Sequence, residues 1–342
     1  MKALGSFLTK AGLVVASTAL GLLVLEAALW LVDYQYTPLR IETIKNWSEW
    51  RYHFAFDSAN FVYDSELIWR PRENTGGFNG QGFRGKLLTS VREAGTIRIF
   101  AIGDSNTLGW VGEGAPNWPM YLQDLLNQNG HKSTVINAGV YGYTVFQGLR
   151  RFKKILPFKP DIVLISFGCN DAAHVTMSDA EFASRKIPRN DWDKVLVQAR
   201  VGQLILSALD RLPGAEKETL VPRVTVQDYK SHLAEIIRIA RAQDIEVILL
   251  TRPFTGSSPP NLPLWWKNFT PEYNAATVEV GRENDTLVID VYSFFEGCND
   301  CFADESHFTE KGVHQMAELI YDNIQHDVKA QAIRHFGSSA PN

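Results

Sequence analysis

Short apolar runs alternate with amphipathic stretches over most of the chain. The apolar runs predict strands, because buried strands of a parallel sheet read as continuous hydrophobic segments. The stretches between them repeat apolar residues every three or four positions, which predicts helices. Such an alternation indicates an α/β fold whose parallel sheet carries helices on both faces. We predict strands at 97–102, 133–137, 161–167, 245–251 and 286–291, and helices at 117–129, 144–156, 195–212, 227–243, 270–283 and 309–327.

The first apolar run differs from the others in its length. Residues 11–32 form a 22-residue run whose single charge is Glu26, and as a helix it would span about 30 Å of hydrocarbon. Lys2 and Lys10 precede the run and Asp33 follows it. By the positive-inside rule we predict one transmembrane helix in the cytoplasmic (inner) membrane, with the N-terminus in the cytoplasm and the remaining domain extracytoplasmic (periplasmic). The Glu26 carboxylate is expected to reach the membrane interface, and a contact with a partner helix is the less favoured alternative. A cleaved signal peptide stays open as the alternative, although its apolar core is usually shorter.

Polar residues and glycines follow three of the predicted strands. In an open α/β sheet the carboxyl ends of the strands form the edge where ligands bind. A fourth polar block lies near the C-terminus. The blocks are Gly103-Asp104-Ser105-Asn106-Thr107-Leu108-Gly109, Asn137-Ala138-Gly139, Gly168-Cys169-Asn170-Asp171 and Asp304-Glu305-Ser306-His307.

Three residues of these blocks suit nucleophilic catalysis. The Ser105 hydroxyl is a poor nucleophile unless a base takes its proton, and a histidine is the side chain best suited to that task near neutral pH. His307 is the candidate base. Asp304, three residues earlier, can hold the second ring nitrogen and stabilise the imidazolium.

With its four blocks in this order, the chain resembles the SGNH, or GDSL-type, ester hydrolase family over about residues 95–330. The resemblance implies a flavodoxin-like three-layer α/β/α fold whose five-stranded parallel sheet has the strand order 2-1-3-4-5. It also implies an oxyanion hole made of the backbone N–H groups of Ser105 and Gly139 and the side-chain amide of Asn170. Glycine is expected at position 139 because the backbone must approach the substrate closely. No metal ion or organic cofactor is expected.

These expectations divide the chain into four parts. They are a cytoplasmic N-terminus and anchor at 1–32, a membrane-proximal segment with a Gly-rich loop at 33–94, the hydrolase domain at 95–330 and a C-terminal tail at 331–342. The formal net charge of −4 gives no sign of nucleic-acid binding. Residues 80–86 match phosphate-binding glycine patterns, but they lack the preceding strand that such sites need and read as a loop.

The predicted activity is carboxylic ester hydrolysis outside the membrane, through an acyl-enzyme on Ser105. The substrate class is an acylated small molecule, glycan or lipid, and the location favours O-acylated polysaccharide or envelope glycan. Two alternatives stay open. An O-acyltransferase would use the same acyl-enzyme, and a non-catalytic membrane-anchored partner in polysaccharide assembly would use only the scaffold. The sequence identifies no protein partner.

Four further residues are singled out near these blocks. Trp110 and His174 are candidates to border the substrate cleft. Cys298 and Cys301 are candidates for a small disulfide, which an oxidising compartment would allow. Two free thiols are the alternative, whereas a zinc site lacks a second pair of ligands at the usual spacing.

Overall fold

The computed structural model describes residues 2–34, 51, 54, 58–89, 93–109, 115–175, 177–184, 199–209, 220–255 and 270–336, and it describes side chains for all of these except 2–9, 206, 209 and 329–336. Contacts within the chain define two compact units. The first consists of Met1–Glu49 and Lys186–Thr219, and the second of Trp50–Arg185 and Leu220–Asn342. The predicted boundaries after residues 32, 94 and 330 stay a prediction.

The described strands are β1 (Phe61–Asp64), β2 (Ile68–Pro71), β3 (Ile97–Gly103), β4 (Ser133–Asn137), β5 (Ile162–Ser166), β6 (His174–Val175), β7 (Val221–Pro222), β8 (Glu246–Leu250) and β9 (Val288–Ile289). The described helices are α1 (Lys2–Leu31), α2 (Ser105–Leu108), α3 (Trp118–Gln128), α4 (Val145–Ile155), α5 (Asp179–Ser184), α6 (Arg200–Leu209), α7 (Val226–Arg241), α8 (Thr270–Glu283), α9 (Val291–Phe294) and α10 (Glu310–Phe336).

The centre of the second unit is a five-stranded sheet in the order β4-β3-β5-β8-β9, and every neighbouring pair is parallel. Numbered along the chain, this is the order 2-1-3-4-5, so the predicted sheet and strand order are confirmed. Every residue of the central strands β3 and β5 is buried. That burial explains why both segments are continuously apolar rather than alternating.

Helices cover both faces of this sheet. Ile97, Ile99 and Ala101 of β3 belong to a buried cluster with residues of α3 and α10. Phe100 points to the opposite face, because side chains alternate along a strand, and its ring lies 5.5 Å from that of Phe83. Helix α7 packs against α4 and α8, and both α4 and α7 contact the sheet. The predicted three-layer arrangement is therefore confirmed.

Most predicted elements differ from the structure by one or two residues at an end, and the helix predicted at 195–212 is described as Arg200–Leu209. Two further differences have a visible cause. The last strand covers only Val288–Ile289, because the Asp290 carboxylate accepts the Ser293 backbone N–H at 3.2 Å and starts α9 directly after it. The last helix continues nine residues beyond its predicted end, to Phe336. No proline or glycine interrupts the sequence between residues 313 and 336, so nothing in it stops the helix before Gly337.

Residues 80–85 form turns and bends closed by an isolated bridge between Phe78 and Arg84. The loop prediction for the Gly-rich segment is confirmed, and the segment has neither the strand nor the helix of a phosphate-binding motif.

The first unit contains the apolar helix α1, whose residues Lys10–Leu31 could cross a membrane by length and composition alone. Their mean hydropathy is 2.0 and none of this stretch is buried. A signal sequence near an N-terminus would have the same properties, so the anchor stays a prediction.

Glu26, within this apolar stretch, bonds to a second helix of the same unit. Its carboxylate accepts the backbone N–H groups of Arg200 at 2.8 Å and Val201 at 2.7 Å. These are among the N–H groups that the start of α6 leaves without an intrahelical partner, and a negative charge there also suits the helix dipole. The structure thus shows a helix partner for Glu26, the use that the sequence favours less. That the carboxylate also reaches the membrane interface stays a prediction. The carboxylate caps α6, a partner 174 positions away that no local pattern in the sequence reveals.

Candidate active site

Ser105 lies where the central strand β3 gives way to the short helix α2. Asp104 caps this helix, because its carboxylate accepts the backbone N–H of Asn106 at 2.8 Å. A Cβ atom on Gly103 would approach the Ser166 carbonyl oxygen to 2.8 Å, closer than real Cβ atoms come to a backbone oxygen. Glycine is thus required at the turn, and Ser105 follows it at the carboxyl edge of the sheet, 9% exposed.

The structure brings Ser105, His307 and Asp304 into one hydrogen-bonded line. Nε2 of His307 lies 2.8 Å from Oγ of Ser105. Nδ1 of His307 lies 2.7 Å from Oδ2 and 2.9 Å from Oδ1 of Asp304. An imidazole with its proton on Nδ1 donates that proton to Asp304 and leaves Nε2 to accept from the serine hydroxyl. This order of groups is the one needed to remove a proton from a serine.

The local hydrogen bonds keep the Asp304 carboxyl ionised. Its Oδ1 accepts the backbone N–H groups of Ser306 and His307, both at 2.8 Å. Partial burial raises the pKa of this carboxyl, but the His307 ring and the two backbone N–H groups lower it more, so the pKa lies well below its usual range. Asp304 therefore carries a negative charge at neutral pH, where it can stabilise an imidazolium.

Aromatic rings hold the loop that carries Asp304 and His307. Phe302 and Phe308 flank the loop and pair through an isolated β-bridge, with ring centroids 5.1 Å apart. Phe295 contacts both rings, with centroid distances of 5.8 and 4.6 Å. The Ala303 backbone N–H also donates to the His307 carbonyl at 2.8 Å. The loop is thus fixed at both of its ends by packing and hydrogen bonds.

The three cysteines differ in state. Cys298 and Cys301 form a disulfide shortly before the loop, and Cys169 is free. Burial raises the pKa of the Cys169 thiol to about 11, which disfavours the reactive thiolate at neutral pH. With Asp300, the paired cysteines form the one group of potential metal ligands among the described residues. Sulfurs joined in a disulfide cannot serve as thiolate ligands.

We expect Cys298 and Cys301 to be linked in protein isolated without reductant from an oxidising compartment, because their sulfur atoms are bonded in the structure and such a compartment preserves disulfides. Alkylation before and after reduction, followed by peptide mapping, checks this. Cys169 is the internal control, since the denatured protein should show it alkylated in both samples. Alkylation of all three cysteines before reduction would contradict the bridge.

The three predicted oxyanion donors lie next to α2 and differ in their bonding. The Ser105 N–H begins α2 and donates to no acceptor among the residues that the structure describes. The Gly139 N–H donates to Oδ1 of Asn137 at 3.0 Å. The Asn170 amide donates to the Tyr143 carbonyl at 3.0 Å and, more weakly, to Asp104 at 3.3 Å. Of these three donors, the Ser105 N–H alone therefore has no acceptor within the described part of the chain.

Glycine at position 139 also has a packing reason, while its expected close approach to a substrate stays a prediction. A Cβ atom there would overlap the Leu108 backbone and lie 2.9 Å from the Thr107 carbonyl carbon. Glycine at this position thus allows the loop to pack against α2, independently of how a substrate binds. The same end of α2 is fixed by the Asn137 amide, which donates to the Thr107 carbonyl at 2.9 Å, and by Arg84, which donates to the Leu108 carbonyl at 2.7 Å.

Asp171, the last residue of the block that begins at Gly168, has a structural role beside the site. It accepts the backbone N–H groups of Val145 at 2.8 Å and Gly168 at 3.0 Å. It therefore holds the start of α4 beside the turn that follows β5. Complete burial raises the pKa of this carboxyl to about 7, although these N–H groups and Arg223 oppose the shift.

Two residues remain that the sequence proposes for the border of the substrate cleft. Trp110 lies outside the described residues. His174 lies in β6, which pairs antiparallel with β7, and its Nδ1 is 3.0 Å from the Ala172 carbonyl oxygen. That either residue borders the substrate stays a prediction.

One residue near the site escaped the sequence analysis. Arg252 is 1% exposed, and its Nε donates to the Asp104 carboxylate at 2.9 Å. The available signal was its position directly after the predicted strand at 245–251, at the edge where the other site residues lie. Nothing local distinguishes an arginine that turns into the site from one that faces solvent.

Comparison with known proteins shows which family this chain belongs to. The model of the GDSL-like Lipase/Acylhydrolase family matches residues 101–315, more than half of the chain. An arylesterase of Vibrio mimicus is 37% identical over 83 residues, which are 24% of this chain and 42% of the relative. Esterase TesA of Pseudomonas aeruginosa is 28% identical over 152 residues, 40% of this chain and 75% of the relative. The chain thus spans less than half the length of the Vibrio relative.

Among solved structures, a lipase/acylhydrolase from Enterococcus faecalis is 25% identical and covers 68% of this chain and 96% of its own, with a TM-score of 0.47. The match to the family model runs from β3 and Ser105 through His307 into α10. The chain belongs to the GDSL-like lipase/acylhydrolase family.

Proposed function

We propose that this protein is a serine-dependent carboxylic ester hydrolase in which Ser105 is the nucleophile, His307 the general base and Asp304 the group that orients the base. The observation that carries the proposal is the 2.8 Å separation of Ser105 Oγ from His307 Nε2, with Asp304 on the other ring nitrogen. The esterase names of the relatives agree with it.

The reaction proceeds through an acyl-enzyme. Ser105 Oγ attacks the acyl carbonyl carbon while His307 Nε2 takes the hydroxyl proton. The imidazolium, stabilised by Asp304, then gives that proton to the departing alcohol oxygen as the ester C–O bond breaks. Water attacks the acyl-enzyme with His307 again as the base, which releases the acid and restores Ser105.

We propose that the Ser105 N–H, the Gly139 N–H and the Asn170 amide stabilise the oxyanion of each tetrahedral intermediate. The Ser105 N–H donates to no acceptor among the described residues, so it can donate to the oxyanion. To bind the charged oxygen, the Gly139 N–H would give up its hydrogen bond to Asn137 Oδ1. The Asn170 amide would give up its longer hydrogen bond, at 3.3 Å, to Asp104. A negatively charged oxygen is the stronger acceptor for a neutral donor such as the Gly139 N–H.

Asn170→Ala is expected to lower kcat by about 10²–10³-fold with little change in KM, because its donor matters mainly when the oxyanion forms. Steady-state kinetics on an aryl ester check this. Asn170→Asp is the matched variant of nearly equal size, and it should be at least as impaired because a carboxylate repels the oxyanion. A kcat for Asn170→Ala equal to that of the wild type would remove Asn170 from the oxyanion hole.

We also propose that α1 is a retained membrane anchor that leaves the hydrolase domain outside the cytoplasm. A reporter enzyme active only outside the cytoplasm, fused after Asn342, is expected to be active, because Lys2 and Lys10 keep the N-terminus inside. The mature protein is expected in the membrane fraction with its N-terminus intact. A soluble product that begins near residue 33 would establish a cleaved signal peptide instead.

The substrate that this placement favours is an O-acyl group on an envelope or exported polysaccharide. The test uses the full-length protein in detergent, with aryl esters of graded acyl length and an O-acetylated polysaccharide. Release of free acid supports the hydrolase. Acyl groups that appear on an added polysaccharide acceptor, detected by mass spectrometry, would identify an acyltransferase. No turnover of any ester would favour the non-catalytic scaffold.

A further inference from the structure

We propose that Arg252 is a positioning residue that ties the turn carrying Ser105 to the loop carrying His307. The inference rests on the proposed roles of Ser105 and His307. These residues come from segments 202 positions apart, so their 2.8 Å contact depends on whatever holds the two segments together. The single guanidinium of Arg252 bonds to both segments.

The first connection runs to Asp104, next to the proposed nucleophile. Nε of Arg252 donates to Asp104 Oδ2 at 2.9 Å, and both side chains are 1% exposed. Through its other oxygen the same carboxylate accepts the Asn106 N–H of α2, and Oδ2 also meets the Asn170 amide. Asp104 thus joins the nucleophile turn, an oxyanion donor and Arg252.

The second connection runs to the histidine loop. Nη1 of Arg252 donates to the Ser306 carbonyl at 3.1 Å, in the peptide unit that leads into His307. The Asn106 amide, from α2, donates to the same carbonyl at 3.0 Å. The Ser306 carbonyl is therefore the point at which the nucleophile turn and Arg252 both hold the histidine loop.

The position of the guanidinium is itself fixed. Asn274 of α8 accepts the Arg252 backbone N–H at 2.7 Å and donates to the Arg252 carbonyl at 2.9 Å. Nη1 also donates to the Pro253 carbonyl at 2.6 Å. A planar guanidinium with donors in a rigid fork can reach a carboxylate and a carbonyl together, whereas an ammonium acts as a compact point charge. The chemistry of this place therefore calls for arginine rather than for a positive charge alone.

The alternative is that the pair only stabilises the fold, since removing one partner of a buried ion pair is destabilising in general. Arg223 provides a matched comparison. It is equally buried and pairs with Asp179 at 2.9 Å, but its bonds run to Gly142, Gln147 and Asp179 rather than to the nucleophile turn or the histidine loop. If Arg252 only stabilised the fold, substitutions of Arg252 and of Arg223 should have similar effects on kcat.

The test compares R252K and R223K in the full-length protein, with R252M as the more severe variant. Thermal unfolding measures folding, and titration with a fluorophosphonate counts the reactive sites used to normalise kcat. R252K is expected to lose at least about 10-fold in kcat while KM changes little, because small displacements of reacting groups can cost up to 10²-fold. R223K is expected to keep the wild-type kcat per reactive site. R252M should be lower than R252K, and if R252M does not fold, R252K decides.

Equal normalised kcat values for R252K, R223K and the wild type would overturn the proposal. So would a loss in R252K that lies wholly in KM, which indicates substrate binding rather than positioning. The proposed function fails separately, if the wild type cleaves no ester or if Ser105→Ala remains active. An active wild type that needs Ser105 therefore makes the Arg252 comparison decisive.

Discussion

Ser105→Ala is expected to lower kcat/KM for an aryl ester by about 10⁴–10⁶-fold, the range that loss of a triad nucleophile gives in serine hydrolases. The substitution removes the atom that attacks the carbonyl, and His307 cannot supply a substitute. The fold should be unaffected, because the Ser105 hydroxyl bonds to His307 at the sheet edge rather than within the core. Ester hydrolysis and thermal unfolding, measured on the same preparation, check both parts.

Ser166→Ala is the matched control for this substitution. Ser166 ends the neighbouring strand β5, and its buried hydroxyl makes no hydrogen bond to the residues that the structure describes. Removing this hydroxyl should leave kcat/KM close to that of the wild type, because the substitution breaks no hydrogen bond among the described residues. Full activity in Ser105→Ala, or an equal loss in Ser166→Ala, would contradict the assignment of the nucleophile.

His307→Ala is expected to be nearly as damaging as Ser105→Ala, because without a base the serine hydroxyl keeps its proton. The double variant should be no worse than either single variant, since members of a triad act as a unit. Kinetics on the three variants and the wild type form the test. Effects that multiply in the double variant would show that the two residues act independently.

The pH dependence of the wild type follows from the same groups. The pKa of Asp304 lies well below its usual range, so its carboxylate stays ionised as the pH falls through the mildly acid range. Loss of the Asp304 charge is therefore not expected to lower kcat/KM in that range, and the pH profile of the wild type checks this. Asp304→Asn should lower the whole profile, since the base keeps its place but loses its orienting charge.

The sheet and the proposed triad are predictable from sequence because their signals are local. Each strand is a contiguous apolar run, and each block of polar residues directly follows a strand or lies in one late loop. A parallel sheet brings its carboxyl ends to one edge, so residues far apart in sequence are expected to meet. The structure brings Ser105 and His307 together in this way.

The unpredicted features depend on pairs that leave no local pattern. Arg252 and Asp104 lie 148 positions apart, and Glu26 and Arg200 lie 174 apart. In each case one side chain looks ordinary in its own segment and acquires its place only through tertiary contact. The requirement for glycine at position 139 is of the same kind, because the group that a Cβ would meet belongs to α2.

Covalent labelling shows directly whether Ser105 is the nucleophile of an esterase. The full-length protein is treated with a fluorophosphonate and digested, and the modified residue is identified by mass spectrometry. The account predicts one phosphonylated residue, Ser105, in the wild type and no labelling in Ser105→Ala. It also predicts much slower labelling in His307→Ala, because the reagent needs a deprotonated serine. Labelling of a different serine, or unchanged labelling of Ser105→Ala, would contradict the account.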